Sequence, residues 1–491
     1  MTASAIEGLT PATLWKRFYE ISQIPRPSKS EERIRLYLRN FAGQNNLTMK
    51  EDEAGNILMQ IPPKPGFEKT PTVVLQSHVD MVCEKNKETD HDFLNDPITL
   101  VRDGVWIKAD GTTLGADNGI GAAAALAIIS DDDFDHGPLE LLFTVDEETG
   151  LTGANSLQKG FITGSILLNL DTEEDGAFYV GCSGGMDTVG TYKIESEPIK
   201  DDYHPFAVAV SGLLGGHSGI NIADGRANAI KLLGMLLDRL SELTIQLALI
   251  NGGSKRNAIP REAEAVVFMN PELESKAREI INEYSLESII EYKNTENNIK
   301  ITFEKKDLSS VNFKSAYKKS FTEKIINVIL SIPHGVVGMS ADIPNLVETS
   351  TNLATVFSEG DDIKIGTSQR SSIENSKRNV ARSVRAVFDL SSANTKVGDG
   401  YPGWQPNMES KVLKLSREVF KNLFSKEAEI KAVHAGLECG ILSDKYAGLD
   451  MVSFGPTIEG AHSPDERVKI PDVEKFYRLL KCILIEIAKR K

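Results

Sequence analysis

Five stretches of the chain carry residue types that could bind divalent cations or move protons. They are His78 with Asp80, Asp117 in GADNGIG, Asp146-Glu147-Glu148, Asp171 in NLD, and His462 in EGAHSPDERV. Imidazole nitrogens and carboxylate oxygens form the donor set of zinc, manganese and cobalt, and a carboxylate that is not a ligand can act as a general base. Each stretch taken singly also has an ordinary reading. A histidine two residues before an aspartate fits a core imidazole beside an acid, Asp-Asn-Gly fits a turn or helix cap, and adjacent carboxylates fit a solvated loop. Their placement argues otherwise. His78, Glu147 with Glu148, and Asp171 follow the apolar runs TVVLQS, LELLFTV and ILLNL. Carboxylates abutting a buried strand repel one another unless cations or shifted pKa values relieve them.

The elements that must position these groups follow from the same runs. Apolar runs bounded by polar residues read as buried strands of a parallel sheet, and ligands gather where such strands end. Strands are expected over 47–50, 56–61 and 72–76, and an alanine-rich helix over 119–130 directly after Asp117. A helix N-terminus favours an aspartate there, whose two oxygens could bridge two cations. Gly119 and Gly121 do not make a dinucleotide fingerprint, because no apolar strand precedes them and the third glycine is missing. Thr10 as N-cap with Pro11 in the first helical position opens one amphipathic helix, and Ser28 with Glu31 has capping-box spacing for a second. Residues 187–400 mix alternating strands (FAVAVSG, NIKITFEK) with long amphipathic helices, and from 401 the helix-then-apolar-strand pattern returns, closing on a helix over 473–489. The expected architecture is an α/β domain with a mostly parallel sheet, built from residues 1–186 and 401–491 and interrupted by an α+β insertion over 187–400.

Seventy acidic against 55 basic residues give a net charge of -15, which argues against nucleic acid or an anionic membrane as partner. There is no run of about 18 apolar residues and no basic region followed by an apolar core. The cysteines Cys83, Cys182, Cys439 and Cys482 lie far apart, as suits a reducing compartment. A cytoplasmic protein is expected. Among the other histidines, His217 lies in the glycine-rich GLLGGHSGI, His434 in AVHAGLECGIL stays open, and His91, His136, His204 and His334 have no comparable context.

The series SHVDMV, GADNGIG, DEETG, NLD, GGHSG and AHSPDERV resembles the M20 family of cocatalytic metallopeptidases. IPRPSKSEE, GADNGIGAAAALA and HAGLECG narrow the resemblance to its aminoacyl-histidine dipeptidase branch. The resemblance implies a zinc-peptidase-like catalytic domain with an inserted lid, two divalent metal ions (zinc, with manganese or cobalt as alternatives) and hydrolysis of unblocked dipeptides, Xaa-His among them. It implies one metal on His78, Asp171 and a bridging Asp117, and the other on Glu148, His462 and the same Asp117. Asp80 would orient His78, Glu147 would be the general base, and the Asp117-Asn118 peptide bond would be cis. In the lid, His217 would stabilise the oxyanion, and Arg370 with Asn257 would meet the substrate's carboxylate; Glu438 would meet its ammonium. A homodimer is the implied assembly. Two alternatives remain, an amidohydrolase of the same fold acting on N-acyl amino acids and a non-catalytic metal-dependent binding protein.

Overall fold

In the computed structural model, which describes residues 2–131, 134–307 and 313–490, the three apolar runs form neighbouring parallel strands. Val73–His78 lies between Leu139–Thr144 and Ile166–Asn169. These strands are buried on both faces, so their sequences show no apolar-polar alternation. Asp450–Ser453 continues the parallel set beyond Ile166–Asn169. Outside this parallel centre the sheet is antiparallel: Ile57–Ile61 and then Thr48–Glu51 extend one side, and Ala177–Cys182 pairs with Asp450–Ser453 on the other. Glu429–Val433 completes eight strands. The parallel register brings His78, Thr144, Asn169 and Ser453 to one sheet edge, where the following loops begin.

The alanine run forms the helix Ala116–Ser130, with Ala122 to Ala127 all but inaccessible. Small side chains let it pack closely against Val73–His78 and the helix Ala12–Ser22; larger ones there would overpack by about 1–3 kcal/mol. Regular helical dihedrals begin only after Asn118, and the Asp117-Asn118 peptide bond is cis.

Two local expectations are corrected. Pro11, not Thr10, occupies the cap position of Ala12–Ser22, and the Thr10 carbonyl instead accepts the Trp15 indole N–H at 3.3 Å. Ser28 and Glu31 form no capping box on Glu32–Gln44. The Ser28 hydroxyl donates to Asp80 at 2.7 Å, while Glu31 accepts the N–H groups of Lys29 and Asp146 at 2.9 and 3.0 Å. Both side chains are drawn to the loops at the sheet edge, where buried carboxylates and amides need partners more than an exposed helix end does.

The chain divides into two units. Unit 1 comprises Met1–Gly181, Trp404–Ala432 and Leu437–Lys491; unit 2 comprises Cys182–Gly403 and Val433–Gly436. Unit 2 is built on a nine-stranded sheet whose path runs from Lys300–Lys305 through His204–Ser211, Ala263–Met269, Gln246–Gly252, Val347–Glu359, Asp362–Ser371 and Gly184–Lys193 to Asn394–Val397, with Gly335–Met339 beside Val347–Glu359. Its pairings are antiparallel. The alternation in FAVAVS turns Phe206, Val208 and Val210 inward, where they meet Leu233 and Leu237 of the helix Ala229–Ser241 and Ile325 and Ile329 of Lys319–Ser331 in one core. No helix among the described residues is long and apolar enough to cross a membrane.

Candidate dinuclear metal centre

Asp117 is the geometric centre of the site. Its Oδ1 lies 3.1 Å from His78 Nε2 and its Oδ2 3.1 Å from His462 Nε2, so one carboxylate faces two imidazoles with different oxygens. Asp171 Oδ1 lies 3.4 Å from His78 Nε2, and Glu148 Oε2 lies 3.0 Å from His462 Nε2. Two three-residue clusters result, His78/Asp117/Asp171 and Asp117/Glu148/His462, each with ligand atoms within 4.8 Å of one another. Their positions follow from the fold: His78 ends a strand, Asp171 and Glu148 sit just past strand ends, and Asp117 enters the alanine helix. Asn118 ties that helix entry to the neighbouring strand by donating to the Leu170 carbonyl at 2.7 Å.

Asp80, fully buried, holds the centre together from behind. It takes His78 Nδ1 at 3.2 Å, the Ser28 hydroxyl, and the backbone N–H groups of Glu147 and Glu148 at 3.1 and 3.2 Å. Burial alone would raise its pKa, but these donors, His78 foremost, hold it down to about 2. An ionised Asp80 fixes the ring of His78 and leaves Nε2 for the centre. A further grouping, Glu31/Asp80/Asp146, is fully buried, but its carboxylates are engaged. Asp146 accepts the Thr149 and Thr152 hydroxyls.

The electrostatics are those of a site that needs positive charge. Burial pushes the carboxyls of Glu147 and Asp171 up, with neighbouring carboxylates adding to the push. Hydrogen bonds donated to Asp117 and Glu148 drive His462 up to about 11, and His78 is driven up by Asp171 and Asp117 despite its burial. Protons are thus held on imidazoles and carboxyls where two cations would displace them. Glu148 Oε1 and Asp171 Oδ1 are also buried without a hydrogen-bond partner. The donor set, the orphaned oxygens and the excess negative charge all fit divalent metal ions.

Glu147 forms a third cluster with His78 and Glu148. With Glu148 turned to His462, Glu147 is the adjacent carboxylate outside the two clusters that share Asp117. Glu438 is fully buried in the same unit; its Oε2 accepts from Gln76 at 2.6 Å and Thr144 at 2.7 Å, and its Oε1 has no partner. Burial, with Asp171 and Asp80 nearby, pushes its carboxyl up to about 7. Sequence reasoning missed Glu173, whose carboxyl neighbours Asp117 and Asp171 and is pushed up by burial and by both. Its signal was its position two residues past Asp171.

Unit 2 holds a separate polar cluster. His217 sits in the short strand Gly216–His217, paired with Ala258–Ile259. Its Nδ1 accepts the N–H groups of Gly219 and Ile220 at 3.2 and 3.1 Å, which leaves Nε2 to carry the proton of the neutral ring. Burial and the Arg370 charge lower its pKa to about 4. Arg370 donates to the Tyr401 hydroxyl at 2.9 Å and to Ser218 at 3.3 Å, with Nη2 3.5 Å from His217 Nε2. The Asn257 carbonyl accepts the Ser218 N–H at 2.8 Å, and the Asn257 side chain is exposed. His434 is held between the Ser183 and Ser350 hydroxyls at 2.7 Å each. Gly219 abuts it: a Cβ there would lie 1.9 Å from the His434 carbonyl oxygen. Ser218 lies inside the GGHSG stretch but was passed over for His217 beside it, and Tyr401 had no signal in the sequence because it belongs to no recognisable spacing.

A mixed sheet that presents paired carboxylate-histidine clusters at its parallel strand ends defines a hydrolase of the metallopeptidase class, and the chain belongs to peptidase family M20/M25/M40, whose sequence profile matches residues 74–486. It is a peptide hydrolase. The chain is 40% identical over 485 residues to the cytosol non-specific dipeptidase of Escherichia coli (strain K12), covering 99% of each. Among solved structures it matches the aminoacylhistidine dipeptidase of Vibrio alginolyticus at 39% identity and a TM-score of 0.88, over 98% of this chain and 97% of that one. Aminopeptidase PepT from Bacillus cereus shares the fold at 16% identity and a TM-score of 0.58, over 98% of this chain and 100% of that one.

Proposed function

We propose that the protein is a two-metal dipeptidase that removes the N-terminal residue from unblocked dipeptides, Xaa-His among them. The observation that carries this reading is the division of the Asp117 carboxylate between His78 and His462. The names of the relatives at 40% and 39% identity supply the substrate class. His78, Asp117 and Asp171 hold one ion, and Asp117, Glu148 and His462 the other. Two bound divalent cations, zinc in this reading, supply the charge that acidifies a water and polarises the scissile carbonyl.

Glu147 takes the proton of the attacking water and passes it to the leaving amine, a task for which a carboxyl of raised pKa is suited. Asp80 keeps His78 in the tautomer that presents Nε2. His217 donates from Nε2 to the developing oxyanion, and its lowered pKa keeps the ring neutral at pH 7. Arg370 takes the substrate's carboxylate, for which a guanidinium fork is matched, and the exposed amide of Asn257 is the second candidate for it. Glu438 Oε1, buried and without a partner, is the acceptor for the substrate's ammonium. We further infer a cytoplasmic homodimer. The test is to remove metal with a chelator and follow cleavage of alanyl-histidine by amino-acid analysis. Activity should vanish and return with added zinc or manganese, whereas turnover that persists in metal-free protein would end this reading.

A further inference from the structure

The loop that delivers Asp117 is gripped from two sides by buried charged side chains. Glu466, 2% exposed, accepts four successive backbone N–H groups. Its Oε2 takes Leu114 and Gly115 at 2.8 and 2.9 Å, and its Oε1 takes Ala116 and Asp117 at 2.7 and 3.2 Å. Arg26, equally buried, donates to the carbonyls of Val79 and Asp80 at 3.0 and 2.8 Å and to that of Gly115. Gly115 has φ +68°, and a Cβ there would meet Arg26 Nη2 at 2.5 Å, so the loop follows the guanidinium closely.

Glu466 closes the loop that carries His462. That loop is bound internally by Ser463 N–H to Gly460 O at 3.2 Å and by Glu466 N–H to Ser463 O at 3.1 Å. His462 itself has φ +63° and a side chain 53% exposed, so its loop rather than packing sets its place. One carboxylate therefore joins the backbone of Asp117 to the loop of His462, which is 345 residues away in sequence. The other half of the centre has its own supports. His78 ends one strand and Asp171 follows its paired neighbour, and Asn118 and Arg26 tie the Asp117 loop to that side.

We infer that Glu466 is a positioning residue for one half of the metal centre. It sets the spacing between Asp117 and His462, and with it the affinity for the ion shared by Asp117, Glu148 and His462, while the His78/Asp117/Asp171 half stands without it. This rests on the two-metal reading above. Glu466→Gln preserves shape but presents an amide N–H₂ to two of the four N–H groups, so the grip opens while the side chain still fills its place.

The test is to prepare wild-type and Glu466→Gln protein loaded with zinc, dialyse them against graded chelator, and measure retained zinc per chain beside far-UV circular dichroism. Wild type should release two ions over a narrow range. The variant, with an unchanged spectrum, should lose one ion at a free-zinc level at least tenfold higher while keeping the other as wild type does, and excess zinc should restore its turnover. Parallel release of both ions, the pattern of a merely structural role, overturns the inference, as does release like wild type. A wild-type chain that holds fewer than two ions fails the two-metal reading itself. If Glu466→Gln does not fold, Glu466→Asp, whose shorter carboxylate cannot span all four N–H groups, carries the same comparison.

Discussion

Replacing Glu147 with glutamine separates the two tasks that adjacent carboxylates share at this centre. Glutamine has the same shape, and the contact that fixes this segment, the Glu147 N–H to Asp80 at 3.1 Å, uses the backbone and survives. Glu148, which faces His462 at 3.0 Å, is untouched. Both ions should therefore stay. Loss of a general base removes about 10²–10⁴ in rate, or roughly 3–5 kcal/mol of transition-state stabilisation. The same substitution has a second, opposite effect on the metal-free protein. Burial and the neighbouring carboxyls of Asp171, Glu438 and Glu148 disfavour an ionised Glu147, so a glutamine, which need not take up a proton on folding, should raise the melting temperature of metal-free protein at pH 7. The assay is kcat/KM for a dipeptide at saturating metal, with metal content by elemental analysis and melting with and without chelator. Turnover within tenfold of wild type would refute the base assignment. A variant that had lost an ion would show that Glu147 and Glu148 have exchanged roles.

Three further outcomes are expected. His217→Ala should lower kcat by about 10²–10³ with little change in metal content, the usual loss for one oxyanion donor; wild-type catalytic efficiency would remove His217 from the mechanism. Chelation should lower the melting temperature as well as activity, because ions that bind only the folded state stabilise it in proportion to the logarithm of their concentration; equal melting of the metal-free and metal-loaded forms would contradict the proposed sites. Burial, with the nearby charge of Arg370, lowers His434 to about 3. Its ring is thus neutral when folded and takes up a proton on unfolding below about pH 6.5. That contribution is present in full above pH 6.5 and is lost as the pH falls towards 3, on the order of 5 kcal/mol over the whole interval. His434→Gln, which can still bridge Ser183 and Ser350, should flatten the dependence of stability on pH between 6.5 and 4, and an unchanged slope would exclude His434 as its source.

The strand ends were legible in the sequence because a parallel strand buried on both faces leaves an uninterrupted apolar run with its polar tip at the end, as Val73–His78 and Ile166–Asn169 do. The alanines after Asp117 marked a helix packed on all sides in the same way. Contacts made by backbone groups left no such mark: the four N–H groups on Glu466 belong to four different residue types, and nothing in their sequence announces a carboxylate 349–352 residues away. Local rules misled where the site outbid them. The spacing of Ser28 and Glu31 fits a capping box, yet both side chains serve Asp80 and Asp146. Arg26 lay unnoticed between two prolines, since carbonyl recognition by a buried guanidinium has no spacing of its own.

The measurement that bears most directly on dipeptidase function is the ratio of kcat/KM for alanyl-histidine to that for N-acetyl-alanyl-histidine, taken for the metal-loaded wild type and for Glu438→Gln. A wild-type ratio far above one that falls at least tenfold in the variant is the expected result, since a buried carboxylate oxygen without a partner gains a charge-assisted hydrogen bond from a free ammonium that an uncharged, bulkier acetamide cannot supply. A wild-type ratio at or below one would contradict dipeptidase action while leaving the metal centre in place, and would assign the chain to N-acyl amino acid hydrolysis.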